Sequence, residues 1–241
     1  VRELIRNDRH MNFSALRMNT GIRASLQFLL LLSVLLYMSS CARSAHRVVQ
    51  PPKRDHVTAS WYGPKFHGRA TSSGEIFNMY DMTCAHKGFP FGTRLRVTNL
   101  KNGKSVVVTV NDRGPFVAGR DLDLSYAAAK EIGLVKAGVG RVRIEYLGRN
   151  MRYVKRIAYG SSSSSGPYTI QAGSFREKAN ADRLKQGLKT GSHAVYITSV
   201  TVKGRKFYRV RIGNFKNRDK AYSFAKTLAD EGYSVFLTPK D

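Results

Sequence analysis

A run of five serines at 161–165, followed by Gly166-Pro167, divides the chain and leaves each side to form a fold of its own. Serine- and glycine-rich segments of this kind behave as flexible linkers. With 241 residues in all, the chain has room for two compact domains of modest size. We predict one domain over residues 56–148, a linker over 149–166 and a second domain over 167–241.

Short β-branched runs separated by glycine turns dominate the first predicted domain. Residues 95–97 and 106–110 are such runs, and Asn102-Gly103 between them is a strong hairpin signal. Ser125 is a typical N-cap for one short helix, and residues 141–146 alternate in the manner of a final strand. Several short strands with a single short helix predict a small β-barrel.

The second predicted domain repeats a strand–helix–strand unit. Gly-Asn-Phe at 213–215 repeats the theme of Gly-Ser-Phe at 173–175, and each triplet ends a strand and precedes a helix. This internal symmetry predicts a ferredoxin-like, or split βαβ, fold. The predicted order is strand 168–171, helix 177–188, strand 194–200, strand 207–212, helix 218–231 and strand 234–238.

The N-terminal segment carries an export signal. Basic residues precede an uninterrupted apolar run of about eleven residues at 28–38, which is too short to span a bilayer. Small residues then lead into Cys41, as in a bacterial lipobox, and Ala42 resembles an outer-membrane sorting signal. We predict a signal peptide over 1–41 with cleavage before Cys41, lipidation of that thiol, and a tether over 42–55. The alternative is an ordinary signal peptide with an incidental cysteine.

Charge and cysteine content limit the partners. The formal net charge of +25 implies an anionic partner, which could be nucleic acid, an acidic membrane or an acidic polymer. The export signal argues against nucleic acid. The chain has two cysteines, so a lipidated Cys41 leaves Cys84 without a disulfide partner in the chain and excludes a thiolate zinc site. We expect no metal and no cofactor.

Several titratable side chains of the first domain are candidates for acid–base chemistry. They are Glu75, Asp81, His86, Asp112, Asp121 and Asp123. Asp112 lies in Asn-Asp-Arg-Gly-Pro, directly after a β-branched strand, where a scaffold presents side chains to a cleft. The same five residues also suit a plain turn. Asp123 could equally serve only to favour the start of the nearby helix. The residues alone leave these alternatives open.

Longer motifs resemble a known family. The first set is Ala-Ser-Trp-Tyr-Gly at 59–63, Thr-Ser-Ser-Gly-Glu at 71–75, Met-Thr-Cys-Ala-His at 82–86, Val-Asn-Asp-Arg-Gly-Pro at 110–115 and Asp-Leu-Ser-Tyr at 123–126. In this order the motifs resemble the rare lipoprotein A (RlpA) family, whose six-stranded double-psi β-barrel is related to barwin, expansins and some endoglucanases. Tyr-Thr-Ile-Gln-Ala-Gly-Ser-Phe at 168–175 and Tyr-Arg-Val-Arg-Ile-Gly at 208–213 resemble the SPOR module. Together these resemblances cover nearly all of the mature chain.

The resemblance implies an endolytic lytic transglycosylase that cleaves the MurNAc–GlcNAc β-1,4 bond of peptidoglycan and forms 1,6-anhydro-MurNAc. The substrate's own C6 hydroxyl is then the nucleophile, so one carboxyl can act first as acid and then as base. The matched positions imply Asp112 as the general acid/base, with Glu75 stabilising positive charge on the sugar or exchanging roles with Asp112. His86 is expected to orient or hydrogen-bond one carboxyl. The likeness to expansins offers Asp123 as the alternative acid.

The SPOR resemblance implies a module that binds denuded glycan strands, which lack stem peptides, at the division septum. Gln171 and Ser174 are expected to bond sugar hydroxyls and acetamides, and Phe207 to stack on a pyranose ring. Arg209 lies two residues on, and so on the same face of the strand, where it can reach lactyl carboxylates. The alternative places Phe207 in the core and Arg209 in solvent as an unpaired charge.

These features together predict a monomer that is lipid-anchored in the outer membrane on its periplasmic face and enriched at the septum. Its partners would be peptidoglycan strands and the membrane, and not nucleic acid. Two other functions compete with the transglycosylase: a non-catalytic, expansin-like glycan binder and a basic nucleic-acid-binding protein. Intact candidate carboxyls favour the enzyme over the first, and the export signal disfavours the second.

Overall fold

The structure, a computed structural model, describes residues 55–160, 167–188 and 193–240. The described residues all belong to one compact unit, 49–241. The predicted signal peptide, Cys41, the tether up to residue 54 and the serine run lie outside the described residues. Within the described ranges, no helix has both the length and the apolar character needed to cross a membrane.

Six strands close into a barrel in the first part of the described chain. They are β1 (His56–Trp61), β2 (Thr83–His86), β3 (Thr93–Asn99), β4 (Ser105–Asp112), β5 (Leu122–Leu124) and β6 (Val139–Arg149). Around the barrel they follow the order β1-β5-β2-β4-β3-β6. The pairs β1–β5 and β2–β4 are parallel and the other pairs are antiparallel. The predicted six-stranded barrel is confirmed.

The alternation of β3 shows how the barrel acquires its core. Leu95 and Val97 are fully buried, whereas the alternating residues Arg94 and Arg96 are exposed. This is the two-residue period of a strand with one face toward the core. The predicted hairpin joins β3 to β4. Gly103 in its turn has a φ of 70°, a left-handed conformation that glycine adopts without steric cost.

The short helix predicted after Ser125 is present as α1 (Tyr126–Glu131). The Ser125 hydroxyl accepts a hydrogen bond from the backbone N–H of Ala128 at 3.1 Å, which satisfies one of the free amides at the helix start. Ala128 and Ala129 are fully buried. Small alanines therefore let α1 lie close against the barrel.

The second part, which we call the C-terminal module, is a five-stranded sheet with two helices. Its elements are β7 (Ile157–Tyr159), β8 (Tyr168–Phe175), α2 (Lys178–Leu188), β9 (Val195–Val202), β10 (Arg205–Phe215), α3 (Arg218–Glu231) and β11 (Val235–Pro239). The strand order is β7-β11-β8-β10-β9. From β8 to β11 this is the βαββαβ arrangement predicted from the sequence, with the two middle strands side by side. The ferredoxin-like prediction is confirmed.

The interpretation of residues 149–166 as a linker is too broad. Arg149 is the last residue of β6, and Met151–Tyr153 form a 3₁₀ turn. β7 then pairs in parallel with β11 and adds a strand to the edge of the sheet. A three-residue strand carries almost no sequence signal of its own, because its partner lies far along the chain.

The C-terminal module is docked on the barrel through the end of α3. The Phe91 N–H donates to the carbonyl of Glu231 at 2.9 Å, and the Lys155 N–H donates to the carbonyl of Ala229 at 3.0 Å. Gly232 ends α3 with a φ of 100°, and a Cβ atom there would lie 2.9 Å from Cβ of Phe91. The helix end and the barrel loop thus meet at a distance that only glycine allows.

A pair of glycine substitutions tests this close approach. Gly204→Ala places a side chain in a left-handed turn with open space around it, so we expect a loss of about 1–2 kcal/mol in the free energy of unfolding. Gly232→Ala meets the same backbone penalty and also the clash with Phe91, so it should cost about 1–3 kcal/mol more. Urea unfolding of both variants measures the difference, and equal losses would contradict tight docking.

Candidate active site

Asp112 ends strand β4 and is held by three hydrogen-bond donors. Its Oδ1 accepts from the backbone N–H of Ser72 at 2.8 Å and from that of Arg113 at 2.8 Å. Its Oδ2 accepts from the Tyr62 hydroxyl at 3.3 Å. The residue is only 8% exposed. The carboxyl therefore sits on a rigid support with a fixed orientation, as the strand-end position predicts.

A second buried carboxyl lies across one strand from the first. Ala85 in β2 pairs with Asp112 on one side and with Asp123 in β5 on the other. Because neighbouring strands lie 4.7–4.9 Å apart, the backbones of the two aspartates are about 10 Å apart. The barrel thus brings together two of the predicted candidates that are 11 positions apart in the chain.

Asp123 differs from Asp112 in its surroundings. It is 9% exposed, and its Oδ1 accepts a hydrogen bond from the Ser60 hydroxyl of the neighbouring strand. Burial raises the pKa of Asp123, the Ser60 hydrogen bond opposes this, and the nearby charge of Asp112 adds to it. Since Ser125 supplies the cap of α1, Asp123 is a barrel residue with a raised pKa and not merely a helix-start residue.

Glu75 lies on the loop before β2 and is exposed, but its carboxyl is oriented by the same strand end. Asn111 donates from Nδ2 to Oε2 of Glu75 at 2.9 Å. The loop itself is fixed to β4, because the Ser73 N–H donates to the Asn111 carbonyl at 3.2 Å. Asn111 and Asp112, consecutive residues, therefore hold Glu75 and anchor its loop. Glu75 and Asp112 are thus linked through Asn111 and the loop, and their catalytic roles stay predictions.

Two tyrosines complete this arrangement. Burial raises the pKa of Tyr62 well above its usual value, and the charges of Asp112 and Asp123 add to the shift, so its hydroxyl remains a donor. Burial also raises the pKa of Tyr153, and its hydrogen bond with Glu75 contributes in the same direction. Each tyrosine therefore serves one carboxyl as a neutral donor.

His86 has partners other than those expected. Its Nδ1 accepts from the backbone N–H groups of Gly88 and Phe89, both at 3.0 Å, and its ring packs on that of Phe89. Burial and the charge of Arg113 lower the pKa of His86 to about 4, so the ring is neutral at pH 7. The hydrogen-bond partners of Nδ1 are thus backbone amides, whereas a carboxyl was expected. A role of His86 in catalysis stays a prediction.

Sequence reasoning missed several residues of the site. They are Tyr62, Ser72, Asn111 and Tyr153. Asn111 could have been found as the neighbour of Asp112, and Tyr62 and Ser72 lie within the motifs at 59–63 and 71–75. Tyr153 carries no local signal, because it reaches Glu75 only through the fold.

The predicted glycan-binding residues share one face of the C-terminal sheet. Gly173 pairs with Val210 on the face toward α2, since a Cβ at Gly173 would lie 2.7 Å from Leu184. Ser174 pairs with Arg209, so both lie on the opposite face. Gln171 pairs with Arg211, two residues beyond Arg209, and therefore lies on that face as well.

An irregularity in pairing makes this grouping possible. Gln171 and Ser174 are three residues apart, which would put them on opposite faces of a regular strand. The pairing shifts between Val210 and Arg211, and the extra residue in β8 brings Gln171 and Ser174 to the same face.

Phe207 is on this face too, two residues before Arg209 in β10, and it is partly exposed. Arg211 and its pairing partner Tyr196 belong to the same face and were not predicted.

Metal binding is not indicated in the residues that the structure describes, where no group of three His, Cys, Asp or Glu side chains could hold an ion. Cys84 is fully buried as a free thiol, and burial raises its pKa well above the usual range. A thiol in that state is a poor nucleophile.

Comparison with known proteins identifies both parts of the chain. Residues 54–144 match a family model described as "Lytic transglycolase", and residues 164–239 match one described as "SPOR domain". A Vibrio cholerae serotype O1 protein named endolytic peptidoglycan transglycosylase RlpA is 40% identical over 196 residues, covering 80% of this chain and 73% of the relative. A protein of the same name from Campylobacter jejuni is 38% identical over 193 residues, covering 73% and 70%. The solved RlpA SPOR domain from Pseudomonas aeruginosa is 27% identical, covers 29% of this chain and 96% of its own, and gives a TM-score of 0.25.

The lowered pKa of His86 predicts a pH-dependent stability. An unfolded histidine titrates near 6.5, so between about pH 6.5 and about pH 4 the unfolded chain binds a proton that folded His86 does not. Acidification through this window therefore lowers the free energy of unfolding. His86→Asn keeps an acceptor for the amides of Gly88 and Phe89 but removes the titration.

We expect His86→Asn to lose less stability than the parent protein between about pH 7 and about pH 4.5, by on the order of 1–3 kcal/mol. Urea unfolding at the two pH values measures this. His56→Asn, at an exposed position of β1, is the control and should follow the parent curve. Parallel curves for the parent and His86→Asn would contradict the lowered pKa.

Proposed function

The chain belongs to the rare lipoprotein A (RlpA) family, and we propose that it is an endolytic peptidoglycan transglycosylase. It cleaves the MurNAc–GlcNAc β-1,4 bond and leaves a 1,6-anhydro-MurNAc end. The names of its relatives and the matched family model support this activity. The observation that carries the proposal is the pairing of a buried, triply hydrogen-bonded Asp112 with an exposed Glu75 on an anchored loop.

The reaction needs a single proton carrier. A carboxylic acid protonates the glycosidic oxygen as the C1–O bond breaks, and GlcNAc leaves with that proton. The C6 hydroxyl of MurNAc then attacks C1, and the carboxylate now formed takes the hydroxyl proton, which returns the acid. We assign this role to Asp112, whose position is fixed by Ser72, Arg113 and Tyr62. The reaction consumes no water.

Glu75 is suited to a different role. It is exposed, so its charge can face the sugar, and its carboxylate is oriented by Asn111 and Tyr153. A fixed negative charge at that place stabilises the positive charge that develops at C1 in the transition state. The two carboxyls differ in burial and in partners, as roles of proton transfer and charge stabilisation require.

Asp123 is the alternative proton carrier, and one observation favours it. Burial raises its pKa, which keeps a proton available at higher pH than on an ordinary aspartate. The Ser60 hydroxyl donates to Oδ1 of Asp123 and so orients this carboxyl as well. Against it, Asp112 directly follows Asn111, whose side chain binds Glu75. The comparison of variants below decides between them.

We also propose that the sheet face opposite the helices of the C-terminal module binds denuded glycan at the septum, and that Cys41 carries the lipid that holds the protein at the outer membrane. The match to the SPOR model supports peptidoglycan binding. Arg209, Ser174 and Gln171 on one face offer a cation and hydrogen-bond groups, and Phe207 offers a ring. Lactyl carboxylates, hydroxyls and pyranose rings of bare glycan are their chemical complements.

The catalytic assignment predicts that Asp112→Asn abolishes most release of anhydro-sugars. The variant keeps Oδ1 as acceptor for Ser72 and Arg113, so the fold should persist, but it cannot carry the proton. We expect a rate lower by about 10²–10⁴-fold. Digestion of purified sacculi, with and without prior amidase treatment, measures the anhydro-muropeptides and glycans formed. Asp81→Asn, at an exposed site, is the matched control and should stay active.

Three outcomes of this digest are informative. An inactive Asp112→Asn with a merely weakened Asp123→Asn supports the assignment. The reverse pattern makes Asp123 the acid and Asp112 its partner. A parent protein that binds sacculi but releases no anhydro-sugar identifies an expansin-like, non-catalytic glycan binder.

The binding assignment predicts that Arg209→Ala weakens retention on amidase-treated sacculi. Loss of a hydrogen bond from a charged group should reduce affinity roughly tenfold. The test uses whichever of Asp112→Asn and Asp123→Asn is inactive in the digest, with and without the second change, so that the ligand stays intact. Lys206→Ala, which removes an exposed cation elsewhere on β10, is the control.

Added salt should weaken binding of the parent protein and reduce the difference in affinity between the parent and Arg209→Ala. Equal retention on untreated sacculi would contradict a preference for denuded strands.

A further inference from the structure

The docked C-terminal module contacts both segments that carry the proposed catalytic carboxyls. We propose that the module positions these carboxyls as well as binding glycan: Tyr233 holds Asp112 through Arg113, and α3 holds Tyr153 against Glu75. This inference rests on the proposed transglycosylase activity. Tyr153 and Tyr233 are positioning residues in this scheme, since Tyr153 acts through Glu75 and Tyr233 acts through Arg113.

Arg113 is the first link between module and site. It is 4% exposed and points away from Asp112 into the interface. Its Nε donates to the Tyr233 hydroxyl at 2.6 Å, and its Nη1 donates to the Phe89 carbonyl at 3.0 Å. The guanidinium carbon lies 3.8 Å from the centre of the Phe91 ring and 5.0 Å from that of Tyr233. One cation is therefore enclosed between the barrel and the module.

The enclosed cation fixes the residue that donates to Asp112. The backbone N–H of Arg113 is one of the two amides bound to Oδ1 of Asp112. A buried guanidinium that loses a hydrogen-bond partner is costly, so the contacts with Tyr233 and Phe89 hold the Arg113 side chain in place. Helix α2 closes the same contact, because a Cβ at Gly187 would lie 2.7 Å from Cβ of Arg113.

Tyr153 is the second link. Its backbone carbonyl lies against the end of α3, where a Cβ at Gly232 would be 2.9 Å away. Its ring covers Gly92, at which a Cβ would lie 2.6 Å from the ring. The hydroxyl reaches Glu75. Helix end, tyrosine and carboxyl thus form one continuous set of contacts from the module to the site.

A third contact involves the loop that follows β1. The Arg183 guanidinium of α2 lies 5.2 Å from the ring centre of Phe66, and Phe66 packs edge-on against Tyr62 at 5.7 Å. Tyr62 in turn donates to Asp112. Residues of the C-terminal module therefore contact Arg113 directly and Tyr62 indirectly, and these are two of the three donors to Asp112.

The test compares two conservative variants of the full-length protein on soluble denuded glycan chains. Tyr233→Phe and Tyr153→Phe each remove one hydroxyl and leave the ring packing in place. Misplacement of a catalytic group lowers the rate of the chemical step while leaving ground-state binding intact. We expect kcat to fall roughly tenfold in each variant with KM nearly unchanged, because a hydrogen bond to a charged group is lost. Tyr222→Phe, at an exposed position of α3, should match the parent.

A merely structural role would give a different result. It would lower the melting temperature and leave kcat per folded molecule unchanged, and that outcome overturns the proposal. The Arg113→Lys background gives a second check, because a tyrosine that acts through Arg113 should cause little further loss there. Additive losses would overturn the Tyr233 link. An inactive parent protein would instead contradict the proposed function, and the two failures are thereby distinguished.

Discussion

Strand β2 is the element on which the rest of the site depends. It has only four residues, yet it is parallel to β4 and antiparallel to β5, and so joins the two halves of the barrel. Ala85 at its centre is fully buried and pairs with both aspartates. The backbone pairing of β2 with both neighbouring strands therefore fixes the distance between the backbones of Asp112 and Asp123. The spacing of the carboxyls is therefore a consequence of barrel closure and not of any local motif.

Features with local signals could be predicted, and features made by distant pairing could not. The hairpin at Asn102-Gly103, the cap at Ser125 and the two helices of the C-terminal module follow from neighbouring residues, and the structure confirms them. β7 was taken as linker because its pairing with β11 joins segments far apart in the chain. Tyr153 could not be predicted for the same reason, because it lies far from Glu75 in the sequence and meets it only in the folded structure.

The candidate site shows the same division. The motifs named Glu75 and Asp112 as candidates, and in the fold Glu75 is bound by Asn111, the residue before Asp112. They could not identify the environment of each carboxyl, because burial is a property of the tertiary structure. Asp123 is desolvated beside Ser60, whereas Asp112 receives three donors, and only the folded barrel distinguishes these cases. The sequence likewise suggested a carboxyl as the partner of His86, whereas in the structure Nδ1 accepts hydrogen bonds from two backbone amides of the following turn.

Docking changes how glycan binding and cleavage are related. A flexible tether would let a bound module hold the barrel at any distance within its reach, and it would raise only the local substrate concentration. Here Arg113, buried between barrel and module, joins them into one body. The sheet face with Arg209 is opposite to the helices, and the helices are what contact the barrel. If glycan binds that face as proposed, docking would limit the orientations that the bound strand can take relative to Asp112.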